Sequence, residues 1–237
     1  STHIIKNDFA KAFNVIFKDK DSKDKYGHIT CYGPAISRIF ASVVIVHGDD
    51  KGLRFPWEIA PIQVVIVPVN NNAAIAKKAN LIKNKIEEFS SVEIDASDKS
   101  VGEKFNYWEM KGVPIRIDIG LKDLAEKKLT VFRRDLDKKE LVGESEIINY
   151  VKKVAKECTG NLRRQADKLF EGKIKDAKNK NEMKKIIEEG GIARCLFCSV
   201  NINGEKCAEV IEKEIGAEVR GTKLGEKITK KGKCVVC

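Results

Sequence analysis

The chain has 237 residues, 42% of them apolar, and a net charge of +10 with a pI near 9.1, so it can bury one large core or two small ones and calls for an acidic partner. No run of 18 apolar residues offers a membrane span, and Ser1 to Lys11 carry no signal-peptide pattern. An odd number of cysteines without an export signal points to a reducing cytoplasm, and nothing points to a membrane.

The first segment runs from Ser1 to about Ala60. Tyr26 to Tyr32 reads as a strand, and Gly33-Pro34 opens a helix, with proline where its missing N–H costs nothing. Ile36, Ile39, Phe40, Val43 and Val44 recur at helical spacing and predict a buried stripe. The helix ends near His47-Gly48, before the polar turn Asp49-Asp50-Lys51-Gly52. His28 and His47 read as structural.

A second unit begins at Pro61. Ile62 to Val69 is an almost unbroken apolar run, as in a parallel strand covered on both faces. Ala73 to Phe89 predicts an amphipathic helix on Ile75, Ala79, Ile82 and Ile86. Val92 to Ile94 is a short strand, and Ser100 to Lys111 a second helix. Val113 to Ile119 alternates, setting Arg116 and Asp118 opposite Ile115, Ile117 and Ile119. Lys128 to Arg134 is a further strand, and Ser145 to Lys156 a closing helix. Strands and helices in short alternation predict an α/β domain with a mixed sheet over residues 61–160.

From about Gly160 the composition turns lysine-rich and helical. Residues 151–194 hold thirteen basic against seven acidic side chains, whereas residues 121–150 balance at seven each. So local an excess reads as a footprint for phosphates or as a solvated helical face.

Five of the seven cysteines fall in the last 43 residues, including the pairs Cys195-Leu196-Phe197-Cys198 and Cys234-Val235-Val236-Cys237. A two-residue gap lets one short turn aim two thiolates at a single tetrahedral zinc. The basic, glycine-rich surroundings do not resemble a redox βαβ setting. Simple pairing gives Cys195, Cys198, Cys234 and Cys237; an alternative uses Cys207 with Cys198. Four thiolates would leave no open position, so the metal would hold structure.

Three stretches resemble the end of a class II aminoacyl-tRNA synthetase catalytic core, specifically the prolyl-tRNA synthetases of the archaeal and eukaryotic kind. They are Ser1-Thr2-His3 with Asn7 to Phe13, Cys31-Tyr32-Gly33 through Ser37-Arg38, and His47 to Leu53. Ile59 to Pro68 is similar to the entry of their anticodon-binding domain. Gly112 to Gly120 with Arg133-Arg134-Asp135 matches that domain's later signature. The terminal cysteines resemble the zinc-binding C-terminal domain of the same subgroup.

The resemblance implies three parts: the end of an antiparallel-sheet catalytic domain (1–60), an α/β anticodon-binding domain with mixed sheet (61–160), and a small α+β zinc-binding domain (161–237). It implies a proline–tRNA ligase that uses ATP and Mg²⁺ to form prolyl-adenylate and charges tRNA(Pro). Arg38 matches the ATP-contacting arginine of the third class II motif, and Ser37 keeps a hydroxyl beside it. Ser1 corresponds to a residue facing ATP, His3 to one lining the proline pocket, and Phe9 to the aromatic packing the amino-acid ring.

Within that anticodon-binding domain, Arg116, Asp118, Lys122 and Arg133 are candidate contacts as polar groups on or beside the sheet that can pair with base edges, although Arg116 could equally serve an internal salt bridge. For Zn²⁺ the resemblance selects Cys198, Cys207, Cys234 and Cys237, leaving Cys195 spare. The first and second class II motifs are not in this sequence, so the 237 residues are not expected to catalyse alone. A homodimer through the missing catalytic part is expected.

Ile4-Ile5-Lys6-Asn7 and Pro34-Ala35-Ile36 depart from the family pattern near the nucleotide. The rival readings are a non-catalytic RNA-binding module with a structural zinc, and a class II synthetase for threonine, histidine or glycine. The terminal cysteine module counts against the latter.

Overall fold

The computed structural model describes residues 2–199, 202–222, 225 and 232–237. In the first part, strand β1 (Thr2–Lys6) leads to helix α1 (Asp8–Ala12) and to a hairpin of β2 (Ile16–Lys18) and β3 (Asp24–Tyr26). Strand β4 (Ile29–Tyr32) returns antiparallel to β1. The single strand expected over 26–32 is thus two, broken at Gly27-His28, because each half pairs with a different partner.

Helix α2 (Ile36–His47) forms where expected, but its apolar stripe is not buried. Ile36, Ile39 and Phe40 are 73, 59 and 50% exposed, and Val43 and Val44 are half-buried. The described residues of this part offer only two-stranded ribbons, too narrow to cover a helix face. Phe40 instead meets Phe55, ring centroids 5.8 Å apart.

After a 3₁₀ turn at Trp57–Ile59 comes the α/β unit: β5 (Val64–Pro68), α3 (Ala73–Glu87), β6 (Val92–Ile94), α4 (Val101–Met110), β7 (Ile115–Ile119), α5 (Leu121–Glu126), β8 (Lys128–Arg133) and β9 (Lys138–Gly143). The sheet order is β6-β5-β7-β8-β9. Helical crossovers make β6, β5 and β7 parallel, while short returns make β8 and β9 antiparallel. Val64 to Val67 are wholly buried, two side chains on each face. Ile115, Ile117 and Ile119 face α3, whose Ile75, Ala79, Ile82 and Ile86 are all buried. The Asn72 side chain caps α3, and a Ser100–Glu103 capping box starts α4. Strand β9 is a finding of the structure; it is an edge strand in which Val142 alone is buried.

Helix α6 (Ile147–Lys173) is 27 residues long, more than twice the closing helix expected over 145–156. It runs on through Gly160 because Val151, Val154, Cys158 and Leu162 continue one apolar stripe across the sheet. Beyond it lie β10 (Ile174–Asp176), α7 (Lys180–Glu188), β11 (Ile192–Arg194) and α8 (Glu205–Ile215). They enclose a small core of Ala177, Met183, Ile186 and Ile211, with Val235 and Val236 against it.

The first part and the α/β unit meet at two close approaches. Gly52 (φ +130°) lies against Met110 and Gly112 (φ +73°) against Leu53. A Cβ at Gly112 would sit 2.7 Å from that of Leu53, so both the dihedral and the space require glycine.

Candidate functional sites

At the end of the chain the loop after β11 carries Cys198, the first turn of α8 carries Cys207, and the final residues bring Cys234 and Cys237. These four sulphurs lie within 4.8 Å of one another, and no disulphide joins them. The loop closes tightly, since a Cβ on Gly204 would meet the Ser199 carbonyl oxygen at 2.2 Å. The Val235 N–H donates to the Leu196 carbonyl at 2.9 Å, and the Val236 N–H points at Cys234 Sγ at 3.4 Å.

Burial alone would push the Cys234 thiol up, yet the backbone N–H groups of Cys237 and Val236 outweigh it and hold it at about 7. Four sulphurs this close fit one tetrahedral ion with bonds of about 2.3 Å. Cys195 stands outside the cluster, half-buried against the small core, where burial raises its pKa.

Among the residues expected around a nucleotide, Ser1 lies outside the described residues. So does the side chain of His3, whose backbone in β1 pairs opposite Cys31. Phe9 is 52% exposed on α1, edge-on to Phe13 at 6.2 Å. Ser37 and Arg38 are the second and third residues of α2, both exposed. No ion pair engages Arg38 among the described residues. A cation at a helix start opposes the helix dipole, so this guanidinium and the free N–H groups beside it together favour an anion.

Arg116 and Asp118 of β7, on the face packed by α4, and Arg133 of β8, on the opposite face beside α6, are paired within the protein. Arg116 is 2% exposed, donating from Nε to Asp118 at 2.9 Å and from Nη1 to Glu109 at 2.8 Å. Its guanidinium lies 3.6 Å from the Phe105 ring centroid and 4.8 Å from that of Phe132. Nη2 of Arg116 is buried without a hydrogen-bond partner among the described residues. Burial raises the Asp118 carboxyl against the opposing pull of Arg116. Arg133 bonds Asp135 through two nitrogens, at 2.8 and 3.1 Å, and Glu157 at 3.1 Å. Lys122, in the first turn of α5, is exposed.

Sequence reading did not foresee Phe105 and Glu109, whose four-residue spacing on α4 puts both on the side facing Arg116. No helix among the described residues is long and apolar enough to cross a membrane.

A family model described as an anticodon binding domain matches residues 63–154. Proline–tRNA ligases are similar over the whole chain: that of Thermofilum pendens is 40% identical and that of Methanopyrus kandleri 33%. This chain corresponds to 50% and 48% of their lengths. A prolyl-tRNA synthetase of Giardia lamblia, solved with prolyl-adenylate, superposes with a TM-score of 0.86 at 28% identity, over 99% of this chain and 51% of that one. The synthetase of Cryptosporidium parvum shares the fold, with a TM-score of 0.80 at 24% identity over all of this chain and 50% of that one. The chain spans about half the length of the curated relatives it matches.

Proposed function

The chain belongs to the proline–tRNA ligase family, and from that premise we propose that it serves ATP-dependent activation of proline and transfer of the prolyl group to tRNA(Pro). The observation that carries this reading is Arg38, an exposed guanidinium with no acidic partner among the described residues, on the first turn of α2. In the proposed reaction a proline carboxylate oxygen attacks the α-phosphorus of ATP and pyrophosphate leaves. The 3′-terminal hydroxyl of the tRNA then attacks the adenylate carbonyl and AMP leaves.

Arg38 would neutralise charge that builds on the phosphates, and Ser37 would hydrogen-bond the nucleotide beside it. Ser1 and His3 would complete the nucleotide and proline contacts, and the exposed ring of Phe9 suits the apolar ring of proline. Mg²⁺ accompanying the nucleotide would share the phosphate charge. No side chain of this chain is asked to act as a base, so positioning supplies the catalysis.

For the α/β unit we propose anticodon contact at the side of the sheet that carries Arg116 and Asp118, with Lys122 at the start of α5 as a further contact. Lys122 is free in solvent, and the unpaired Nη2 of Arg116 gives the buried pair a spare donor beneath Phe105. Arg133, clamped by Asp135 and Glu157, would hold the neighbouring strand rigid. Cys198, Cys207, Cys234 and Cys237 would bind one structural Zn²⁺ and lock the last residues onto the small core.

The test is binding of this chain to tRNA(Pro) and to the same tRNA with its anticodon changed, at one salt concentration. Loss of affinity on changing the anticodon is the expected result; equal binding would remove the anticodon roles given to Arg116, Asp118 and Lys122.

A further inference from the structure

Helix α6 buries one face against the sheet, and its opposite face is unlike that of an ordinary solvated helix. At about 100° per residue, Lys152, Lys156, Arg163 and Phe170 fall within about 40° of one another, forming a line along the outer surface. All four are exposed; Phe170, an apolar ring, is 57% exposed. Lys156 has no acidic partner among the described residues, and Lys152 lies over the Phe89 ring at 4.9 Å. Arg163 meets Asp167 only loosely, at 3.8 Å, with 83% of its side chain exposed. Lys153, set off this line, pairs about as loosely with Glu157, at 3.9 Å.

Spacings of four, seven and seven residues put these groups about 6, 10 and 10 Å apart along the helix axis. That exceeds the roughly 3.4 Å rise between successive phosphates of one nucleic-acid strand, so each cation can take a separate phosphate. An exposed aromatic in line with cations adds a surface on which a base can stack, which an acidic protein partner would not need.

We propose that the outer face of α6 is a second tRNA-docking surface, a ridge that grips the ribose–phosphate backbone away from the anticodon, without reading sequence. This inference rests on the proposed tRNA function. The ridge would fix where the tRNA lies along the molecule while the sheet reads its bases, because phosphate contacts position and base contacts specify.

The experiment measures binding of the full chain to tRNA(Pro) and to its anticodon-changed form between 50 and 200 mM salt. The variants are Lys152→Ala/Lys156→Ala/Arg163→Ala, Phe170→Ala, and a control of equal charge loss on the β2–β3 hairpin, Lys18→Ala/Lys20→Ala/Lys23→Ala. The ridge triple variant is expected to lose about tenfold or more in affinity for both tRNAs at the lower salt. Its slope of log affinity against log salt should flatten by about 2–3. Phe170→Ala should lose about tenfold with the slope kept. The control should match the unaltered chain.

A ridge variant that binds like the unaltered chain, while that chain still discriminates the anticodon, would overturn the ridge and leave the ligase reading standing. Equal losses in ridge and control variants would also overturn it, as an effect of net charge. Failure of the unaltered chain to bind either tRNA would remove the tRNA reading on which the ridge depends.

Discussion

Arg134 holds Asp49 with two parallel hydrogen bonds, 2.7 Å from Nη1 and 2.5 Å from Nη2, across 85 residues of sequence. Arg134 is 1% exposed and also donates to the carbonyls of Glu109, at 3.3 Å, and Gly52, at 3.2 Å. The pair fastens the turn after α2 to the end of β8. The C-terminal end of α2, the helix whose first turn carries Arg38, is thus tied to the sheet that carries Arg116 by a charged fork.

Asp49 should make stability depend on acid. The Arg134 hydrogen bond, outweighing burial, lowers its pKa from 3.8 to about 2. A folded-state value below the unfolded one gives stability that is complete above about pH 4 and lost as pH falls through about 2. Allowing for a carboxylate about one-third exposed, this amounts to about 1–2 kcal/mol. Urea unfolding should show Asp49→Asn weaker than the unaltered chain by that amount at pH 7, with the gap closing by pH 2. A gap that persists at pH 2 would mean the substitution acts by packing.

Metal content should follow the geometry of the cysteines. The unaltered chain is expected to carry one zinc, as is Cys195→Ser, while Cys207→Ser loses most of it; elemental analysis after dialysis decides. Chelation should loosen the core around Met183, Ile186 and Ile211, read as faster amide exchange there, and leave β5 and β7 protected. Retention of zinc by Cys207→Ser with loss in Cys195→Ser would favour the simple pairing of the two Cys-x-x-Cys motifs.

Arg38 can be tested in a chimera that joins this chain to the complementary half of its Thermofilum pendens relative. Arg38→Ala should lower proline-dependent ATP–pyrophosphate exchange by about 100-fold or more, a loss of about 3 kcal/mol in transition-state stabilisation. tRNA affinity should not move. Exchange within a few-fold of the parent chimera would exclude a phosphate role.

Leu162 is 1% exposed on the sheet-facing side of α6, and Leu169, about two turns further along the same face, is 56% exposed. Leu162→Ala is expected to cost about 2–5 kcal/mol in denaturant unfolding, and Leu169→Ala less than about 0.5 kcal/mol. Equal costs would show that the helix is anchored along its whole length.

The parts legible in the sequence are those whose burial is decided locally. Val64 to Val67 and the Ile75–Ile86 stripe of α3 lie where their spacing predicts, because helices cover β5 on both faces and the sheet covers the α3 stripe. Arg116 and Asp118 were placed on the correct face by simple alternation. The stripe of α2 misled because a period states which face is apolar and not what lies against it. Strand β9 escaped because Lys138-Lys139-Glu140 hides an edge strand that needs only one buried residue. Helix α6 was cut short because lysines on its outer face mask the stripe beneath. Spacing alone left two cysteine quartets open, since Cys207 comes into reach only through the sharp turn at Gly204.

The unbroken course of α6 has a consequence for how such sequences can vary in length. The helix is a rod about 40 Å long that begins under the sheet and ends at the cysteine-bearing unit. One residue inserted after Leu162 would turn everything beyond it by about 100° and advance it about 1.5 Å, swinging Arg163 and Phe170 off the line of Lys152 and Lys156. Seven would restore the orientation to within about 20°. Working lengths in this stretch are thus confined to a few rotational phases, and the rod acts as an indexing shaft between the two units.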